Sequence, residues 1–259
     1  MIHNQTIDNQ LNHRTIRAFK DQSLTTDQLQ TLYAAASHTS TSMFMQQFSI
    51  ILHLTDPQLR QAVREISGQP YVGANGDLLI FVVDLYRNQQ IRHQMGNDDG
   101  RLHTTDIFMQ AVEDTVLALQ NTLVAAESMG LGGVILGSIK NDPARLVKVL
   151  KLPKMTMPLL GLQVGIPDQQ PQLKPRLPLD FIAFDNHYPT EFDVHDLADY
   201  DHDVHQYYDL RDANRRVDSF TNQINGAKLN LGDPDKRDDL AQVLQEQGLA
   251  LDWSNNPQN

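Results

Sequence analysis

The chain has 259 residues, no cysteine, 40% hydrophobic and 20% charged residues, and a formal net charge of −11. A chain of this length buries roughly three quarters of the surface its unfolded form exposes, so it needs no disulfide or metal staple. The absence of cysteine removes thiolate chemistry, zinc–thiolate centres and Fe–S clusters, and the acid excess argues against a nucleic-acid partner, which requires a basic face to displace counterions.

Met1 to Asn12 is polar and lacks an apolar h-region, which predicts no secretory signal. No apolar run approaches the ~20 residues of a bilayer span, so a cytoplasmic protein without a membrane partner is expected. Thr25 and Gln28 form a capping-box pattern ahead of Leu29, Leu32, Tyr33 and Ala36, a helix. Ser49 to Leu54 reads as a strand. Asp56-Pro57 pairs an N-cap with proline at the first helical position and starts a helix to about Ser67. Leu78 to Val83 is a continuous apolar run, as in a strand buried on both faces. Thr105 to Met129 carries the longest helical pattern, stopped by Gly130. From Val116 onward that pattern is apolar nearly all round, which places the helix in a core or at a subunit interface. Val134–Leu136 and Leu159–Ile166 read as strands, with Asp142-Pro143 opening a helix between them. Further helices are expected over Asp193–Tyr208 and from Asp233-Pro234 to Gln247. The class is α+β, a sheet packed by helices.

Gly130-Leu131-Gly132-Gly133 is not GxGxxG, and it follows a helix and enters a strand, the reverse of a dinucleotide-binding turn. It reads as a structural turn. P-loop, zincin and nucleophile-elbow motifs are missing. After Ile166 the composition shifts, with Pro167, Pro171, Pro175, Pro178 and Pro189 marking a loop-rich stretch. From Asp185 to Asp212 nine acids face one base, Arg211, with four histidines interspersed. His202 and His205 with Asp199 or Asp201 have the spacing to share a helix face, but the stretch reads as a solvated helix and no metal is expected.

Small cationic clusters stand out within this acidic chain. His13-Arg14-Thr15-Ile16-Arg17 sets two guanidiniums and a hydroxyl close together, and guanidinium forks suit phosphate oxygens. Lys174-Pro175-Arg176 is a second cluster, stiffened by its proline. Thr39-Ser40-Thr41-Ser42 offers four hydroxyls, and Gln69-Pro70-Tyr71 an amide and an aromatic ring. Each is weak alone. In this order, together with the helix ending Ala-Glu-Ser-Met-Gly-Leu-Gly-Gly-Val and with Leu-Lys-Pro-Arg-Leu-Pro, they resemble the FMN-dependent nitroreductase superfamily, in particular its NADPH-dependent oxygen-insensitive nitroreductase and flavin reductase group. The resemblance runs from about residue 10 to about residue 220.

The resemblance implies a nitroreductase-like mixed sheet flanked by helices, with the long buried helix at a dimer interface. It implies a single domain over 1–259, of which about 185–259 is a peripheral acidic helical extension. FMN is the implied cofactor. By resemblance, His13, Arg14, Thr15, Ile16 and Arg17 grip its phosphate and ribityl chain, and Thr41 contacts the flavin. Gln69, Pro70 and Tyr71 border the isoalloxazine edge, and Ile135, Leu136, Gly137 and Ser138 pass alongside the ring. Lys174, Pro175 and Arg176 form the second phosphate clamp. Relatives have serine where Thr15 stands and glycine where Ser138 stands. NADPH is the implied hydride donor, its 2′-phosphate received by Arg211, Arg215 and Arg216; Asp212 stands where a neutral residue is usual. The implied chemistry is ping-pong: hydride passes from NADPH to the flavin, then two electrons to a nitroaromatic, quinone or similar small molecule. The flavin carries the chemistry and no side chain is assigned a catalytic role. A flavin reductase that hands reduced FMN to a partner, and a flavin-binding protein without turnover, are the alternatives.

Overall fold

A computed structural model describes residues 1–44, 48–207, 218–226, 229–230 and 232–253. In chain order its elements are α1 (Gln5–Leu11), α2 (Thr26–Ser37), β1 (Ser49–Leu54), α3 (Pro57–Ser67), β2 (Asp77–Asp84), α4 (Tyr86–Gln94), α5 (Thr105–Ser128) and β3 (Gly132–Leu136). They continue with α6 (Pro143–Val149), β4 (Thr156–Gly165), α7 (Ala198–Gln206), α8 (Phe220–Ile224) and α9 (Leu240–Glu246), and short 3-10 turns join several of them. The chain divides into two compact units. One comprises residues 1–11, 15–169 and 234–259, the other residues 12–14 and 170–233.

The first unit holds the sheet, ordered β1-β2-β4-β3 with every adjacent pair antiparallel. Among the described residues its parallel element is a single bridge between Thr15 and Gly133. β2 lies inside and is buried at all eight positions. Its alternation divides the core: Leu78, Ile80 and Val82 face Val63 and Ile66 of α3, while Leu79 and Phe81 face Leu32 of α2 and Leu119 and Leu123 of α5. Full burial of each such side chain contributes ~1.5–3 kcal/mol. The β2–β4 register shifts by one residue beside Pro158, which has no N–H for the ladder.

The sequence signals for helix starts operate as physical caps. Thr25 and Gln28 form the reciprocal capping box, Asp56 accepts from the Gln58 N–H, and Asp142 accepts from the Arg145 N–H. One expected start is corrected. The last helix does not begin at Asp233-Pro234 but at Leu240. Asp235 turns the chain first, because its carboxylate accepts the Arg237 N–H and its own N–H goes to the Asp238 carboxylate. This local pairing competes with helix formation. The Asp193 segment also opens as a 3-10 turn, Val194–Leu197, before α7.

α5 buries one face and exposes another, where Met109, Val116 and Leu117 remain 41–45% accessible. Its first turn takes an acceptor from far along the chain: Asp252 receives the Thr105 N–H at 2.5 Å and the Thr105 hydroxyl at 2.6 Å. Nearby, Leu240, Leu244, Leu249, Ala250 and Trp253 line an apolar groove of about 140 Å³. In the second unit, Asp201 of α7 accepts both the backbone N–H and the hydroxyl of Thr221 on α8, and Tyr200 meets Phe220 edge-on at 5.3 Å. No described helix is long and apolar enough to cross a membrane.

Candidate functional site

In the first unit, three of the expected segments come together. Thr15, Ile16 and Arg17 run beside β3, joined by the Ile16 N–H to the Gly133 carbonyl at 3.0 Å. Ile16 is buried in the core, and a Cβ on Gly132 would stand 2.4 Å from its Cγ1, so only glycine lets this segment lie so close. Gln169 fixes the next backbone groups, its Oε1 accepting from Arg17 N–H at 3.2 Å and Ala18 N–H at 2.6 Å. The Arg17 guanidinium lies over the Tyr71 ring, 5.9 Å from its centre. Its Nε–H is buried and has no hydrogen-bond partner among the described residues.

Gln69, Pro70 and Tyr71 belong to the loop after α3, which leaves its helix through Gly68 at φ 66°. The loop is clasped from α3. Arg64 donates to the carbonyls of Val72 and Gly73, each at 2.8 Å, and Arg60 donates to those of Gly73 at 3.0 Å, Gly76 at 2.7 Å and Ala74. Burial lowers the Arg60 pKa; nearby Asp77 opposes that shift and Arg64 adds to it. Gly73 has φ +64°, and a Cβ there would meet the Arg60 carbonyl oxygen at 2.8 Å.

The third segment leaves β3 on the same side. Ile135 points outward and Leu136 into the core, following strand alternation. Gly137 has open space where a Cβ would stand, and Ser138 pairs its hydroxyl with that of Ser67 at 3.1 Å, just ahead of the Gln69 loop. Lys140, two residues on, has its pKa lowered, first by burial and then by Arg237.

Thr41 is placed elsewhere. Its hydroxyl donates to buried Asp114 of α5 at 2.7 Å, inside a cleft of about 820 Å³ whose walls include Tyr33, His38, Thr39, Ile51 and Ala118. Burial, and secondarily Asp77, raises the Tyr33 pKa. His13, Arg14, Lys174, Pro175 and Arg176 all lie in the second unit. There Arg14 donates to the Asn12 carbonyl at 3.2 Å, Lys174 and Pro175 are half-buried, and exposed Arg176 is close enough to Tyr200 to act on its charge. Arg211, Arg215 and Arg216, expected to receive NADPH, lie outside the described residues, as does Asp212.

Sequence reasoning missed the clasp. Arg60 and Arg64 fall within the helix expected to about Ser67, and Gln163 within the strand expected over Leu159–Ile166, and none of the three was assigned a role. The available signal was a lone amide inside the apolar run Leu159–Ile166.

The expected segments fit an anionic, planar ligand. A buried guanidinium N–H with no acceptor among the described residues suits a phosphate or carbonyl oxygen, and a charged hydrogen bond of this kind carries roughly 1.5–3 kcal/mol. Gly137 and outward-facing Ile135 leave room for a ring to approach the backbone.

The nitroreductase family model matches residues 11–166, and that of the nitroreductase family C-terminal domain matches 174–252. An FMN reductase (NADPH) of Bacillus subtilis (strain 168) is 38% identical over 250 residues, covering 95% of this chain and 98% of its own. An NADPH-dependent oxidoreductase of Staphylococcus aureus (strain MRSA252) is 38% identical over 242 residues, 92% of this chain and 94% of its own. Among solved structures, the NfrA1 nitroreductase from B. subtilis superposes with a TM-score of 0.86 at 36% identity, covering 95% of this chain and 99% of that one. The NADPH:FMN oxidoreductase from Vibrio harveyi complexed with NAD+ superposes at 0.84 with 32% identity over the same shares. With both halves matched by the family's models and a relative of this identity along nearly its whole length, the chain belongs to the nitroreductase family.

Proposed function

We propose that this chain is an FMN-dependent oxidoreductase that takes its hydride from NADPH and passes two electrons to a small-molecule acceptor. The observation that carries the reading is the buried Arg17 Nε–H beside Tyr71, which has no acceptor among the described residues. The FMN and NADPH named for its relatives supply the cofactor and the donor. FMN, when bound, supplies the redox chemistry: hydride in from the nicotinamide, electrons out to a nitroaromatic, quinone or similar compound.

What the side chains do is bind and orient. Arg17 and the Thr15 hydroxyl, with His13 and Arg14, hold the phosphate and ribityl chain, and Ile16 anchors that segment in the core. Lys174 and Arg176, stiffened by Pro175, complete the neutralisation of a phosphate carrying nearly two charges. Gln69, Pro70 and Tyr71 border the ring edge, and the backbone of Ile135, Leu136, Gly137 and Ser138 lies along its face. Arg211, Arg215 and Arg216 take the 2′-phosphate of NADPH.

The working form in this reading is a homodimer with flavin sites between subunits. The exposed apolar stripe of α5 supports it, as does the division of expected residues on one chain between the Arg17–Tyr71 region and the Thr41–Asp114 cleft. Residues 1–259 are read as a single nitroreductase-like domain with an acidic helical extension over about 185–259, acting in the cytoplasm.

The test is an absorbance spectrum of purified protein before and after anaerobic NADPH, repeated with NADH. A flavin spectrum bleached by NADPH supports the reading; protein that neither carries nor takes up FMN overturns it. A relative named as an FMN reductase favours a second reading, in which free flavin is the acceptor. NADPH oxidation accelerated by added FMN but not by nitroaromatics or quinones would select it.

A further inference from the structure

Gln163 of β4 is fully buried, and its register partners are Leu78 on β2 and Val134 on β3. An amide among apolar neighbours is costly unless its donors and acceptors are met. Its side chain spends all three of its bonds on one loop. Oε1 accepts the Gly73 N–H at 2.8 Å, and Nε2 donates to the carbonyls of Tyr71 at 2.9 Å and Asn75 at 2.7 Å. Arg64 holds the same loop from α3 through the Val72 and Gly73 carbonyls. Residues 69–76 form no helix or strand, so these bonds, together with those from Arg60, set where the loop's backbone sits. Two of its carbonyls, those of Tyr71 and Asn75, are tied to the sheet by one side chain. The Tyr71 ring is the surface beneath Arg17.

We propose that Gln163, assisted by Arg64, is a positioning residue for the cofactor, fixing the height of the Tyr71 loop against the flavin edge and the Arg17 guanidinium. This rests on the reading that Gln69–Tyr71 meets FMN. Gln163 does not touch the ligand. It ties the loop to β4 through the loop's backbone groups, so a side chain that merely filled its volume would leave the sheet packed and the loop held from α3 but released from β4. The amide's three bonds are made to this loop alone, and an apolar side chain at this position would leave the Gly73 N–H and the Tyr71 and Asn75 carbonyls without their side-chain partner.

The experiment compares Gln163→Met, Arg64→Met, Arg64→Lys and Tyr71→Ala with the unmodified protein. Each apoprotein is titrated with FMN by flavin fluorescence, the visible circular dichroism of bound FMN is recorded, and apoprotein Tm is measured separately. Gln163→Met is expected to weaken FMN binding about tenfold or more and to alter the flavin dichroism. Arg64→Met moves both readouts the same way by a smaller factor, and Arg64→Lys, which cannot span both carbonyls as a fork, falls between it and the unmodified protein. Binding within twofold and an unchanged dichroism in Gln163→Met, whatever its apoprotein Tm, overturn the proposal. Should Gln163→Met fail to fold, Arg64→Met decides by the same two readouts. Tyr71→Ala separates the layers. If it too leaves binding and dichroism unchanged, the reading of the Tyr71 segment falls; if it changes them while Gln163→Met and Arg64→Met do not, the positioning role alone falls.

Discussion

The Arg17 guanidinium stands over the face of Tyr71, 5.9 Å from the ring centre, while its Nε–H stays buried without an acceptor among the described residues. The ring holds the cation and leaves a donor unspent. Arg17→Ala should therefore raise the dissociation constant for FMN on the order of 10–100-fold, the value of a charged hydrogen bond. Arg17→Lys, with its charge but not its fork, should fall between. Tyr71→Phe keeps the ring and should bind within about twofold, whereas Tyr71→Leu should lose roughly the 0.5–1 kcal/mol of a cation–π contact. Flavin fluorescence titration measures all four; normal affinity in Arg17→Ala would contradict the assignment.

Two glycines, Gly132 at the start of β3 and Gly137 just past its end, should respond in opposite ways. Gly132→Ala places a methyl 2.4 Å from Ile16 Cγ1 and 2.8 Å from its Cβ, so the Thr15–Arg17 segment must shift. A cost of roughly 1–3 kcal/mol in apoprotein stability is expected from overpacking, with weaker FMN binding. Gly137→Ala meets no protein atom within 4 Å. Its apoprotein should melt as the unmodified protein does, with FMN binding alone reduced if the ring lies along that backbone. Denaturant melts beside FMN titrations separate the two effects.

Much of this fold could be read directly from residues. Thr25 with Gln28, Asp56-Pro57 and Asp142-Pro143 announce helices because each supplies the acceptor the first helical turn lacks. The Leu78–Val83 run announces a strand because only a strand covered on both faces repays such a sequence. Asp233-Pro234 misleads by the same logic, since Asp235 and Asp238 satisfy one another locally before a helix can start. α1 and α4 have no buried residue and hence no apolar period to detect. Of the candidate site, three segments expected from their order come together, but the contacts that join them were not legible. Nothing in Arg17 or Tyr71 announces that they pair, and the bonds from Gln163 to the loop join residues that only the β2–β4 pairing brings near.

The exposed stripe of α5 predicts association. Val116 and Leu117 are 41% and 45% accessible on a helix whose opposite face is core. Carboxylates at both positions (Val116→Glu, Leu117→Glu) should convert a dimer to monomers in light scattering after size exclusion, with little change in far-UV circular dichroism. A species that keeps the same mass would place any interface elsewhere.

Asp252 gives a pH prediction. The Thr105 hydroxyl, and then the Thr105 N–H, hold its pKa below the ordinary carboxylate value. A depressed folded-state pKa means the contact contributes fully above the unfolded carboxylate range and is lost as pH falls through the lower folded value. Asp252→Asn should lower Tm by about 2–4 °C near neutrality, as for loss of a helix cap in a chain of this size. The gap from the unmodified protein should close as pH drops below about 4. Differential scanning calorimetry at several pH values checks this; a gap that persists at pH 3 would show that the carboxylate's charge is not what holds Thr105.

Trp253 is the chain's one tryptophan, and it lies at the apolar groove next to Asp252. The protein thus carries a native optical label at a single known address. Emission on excitation at the indole band reports whether the C-terminal segment is seated against the start of α5, and nothing else in the chain contributes indole signal. Undocking of that segment can be timed without dyes or mutations, separately from loss of the flavin's own colour.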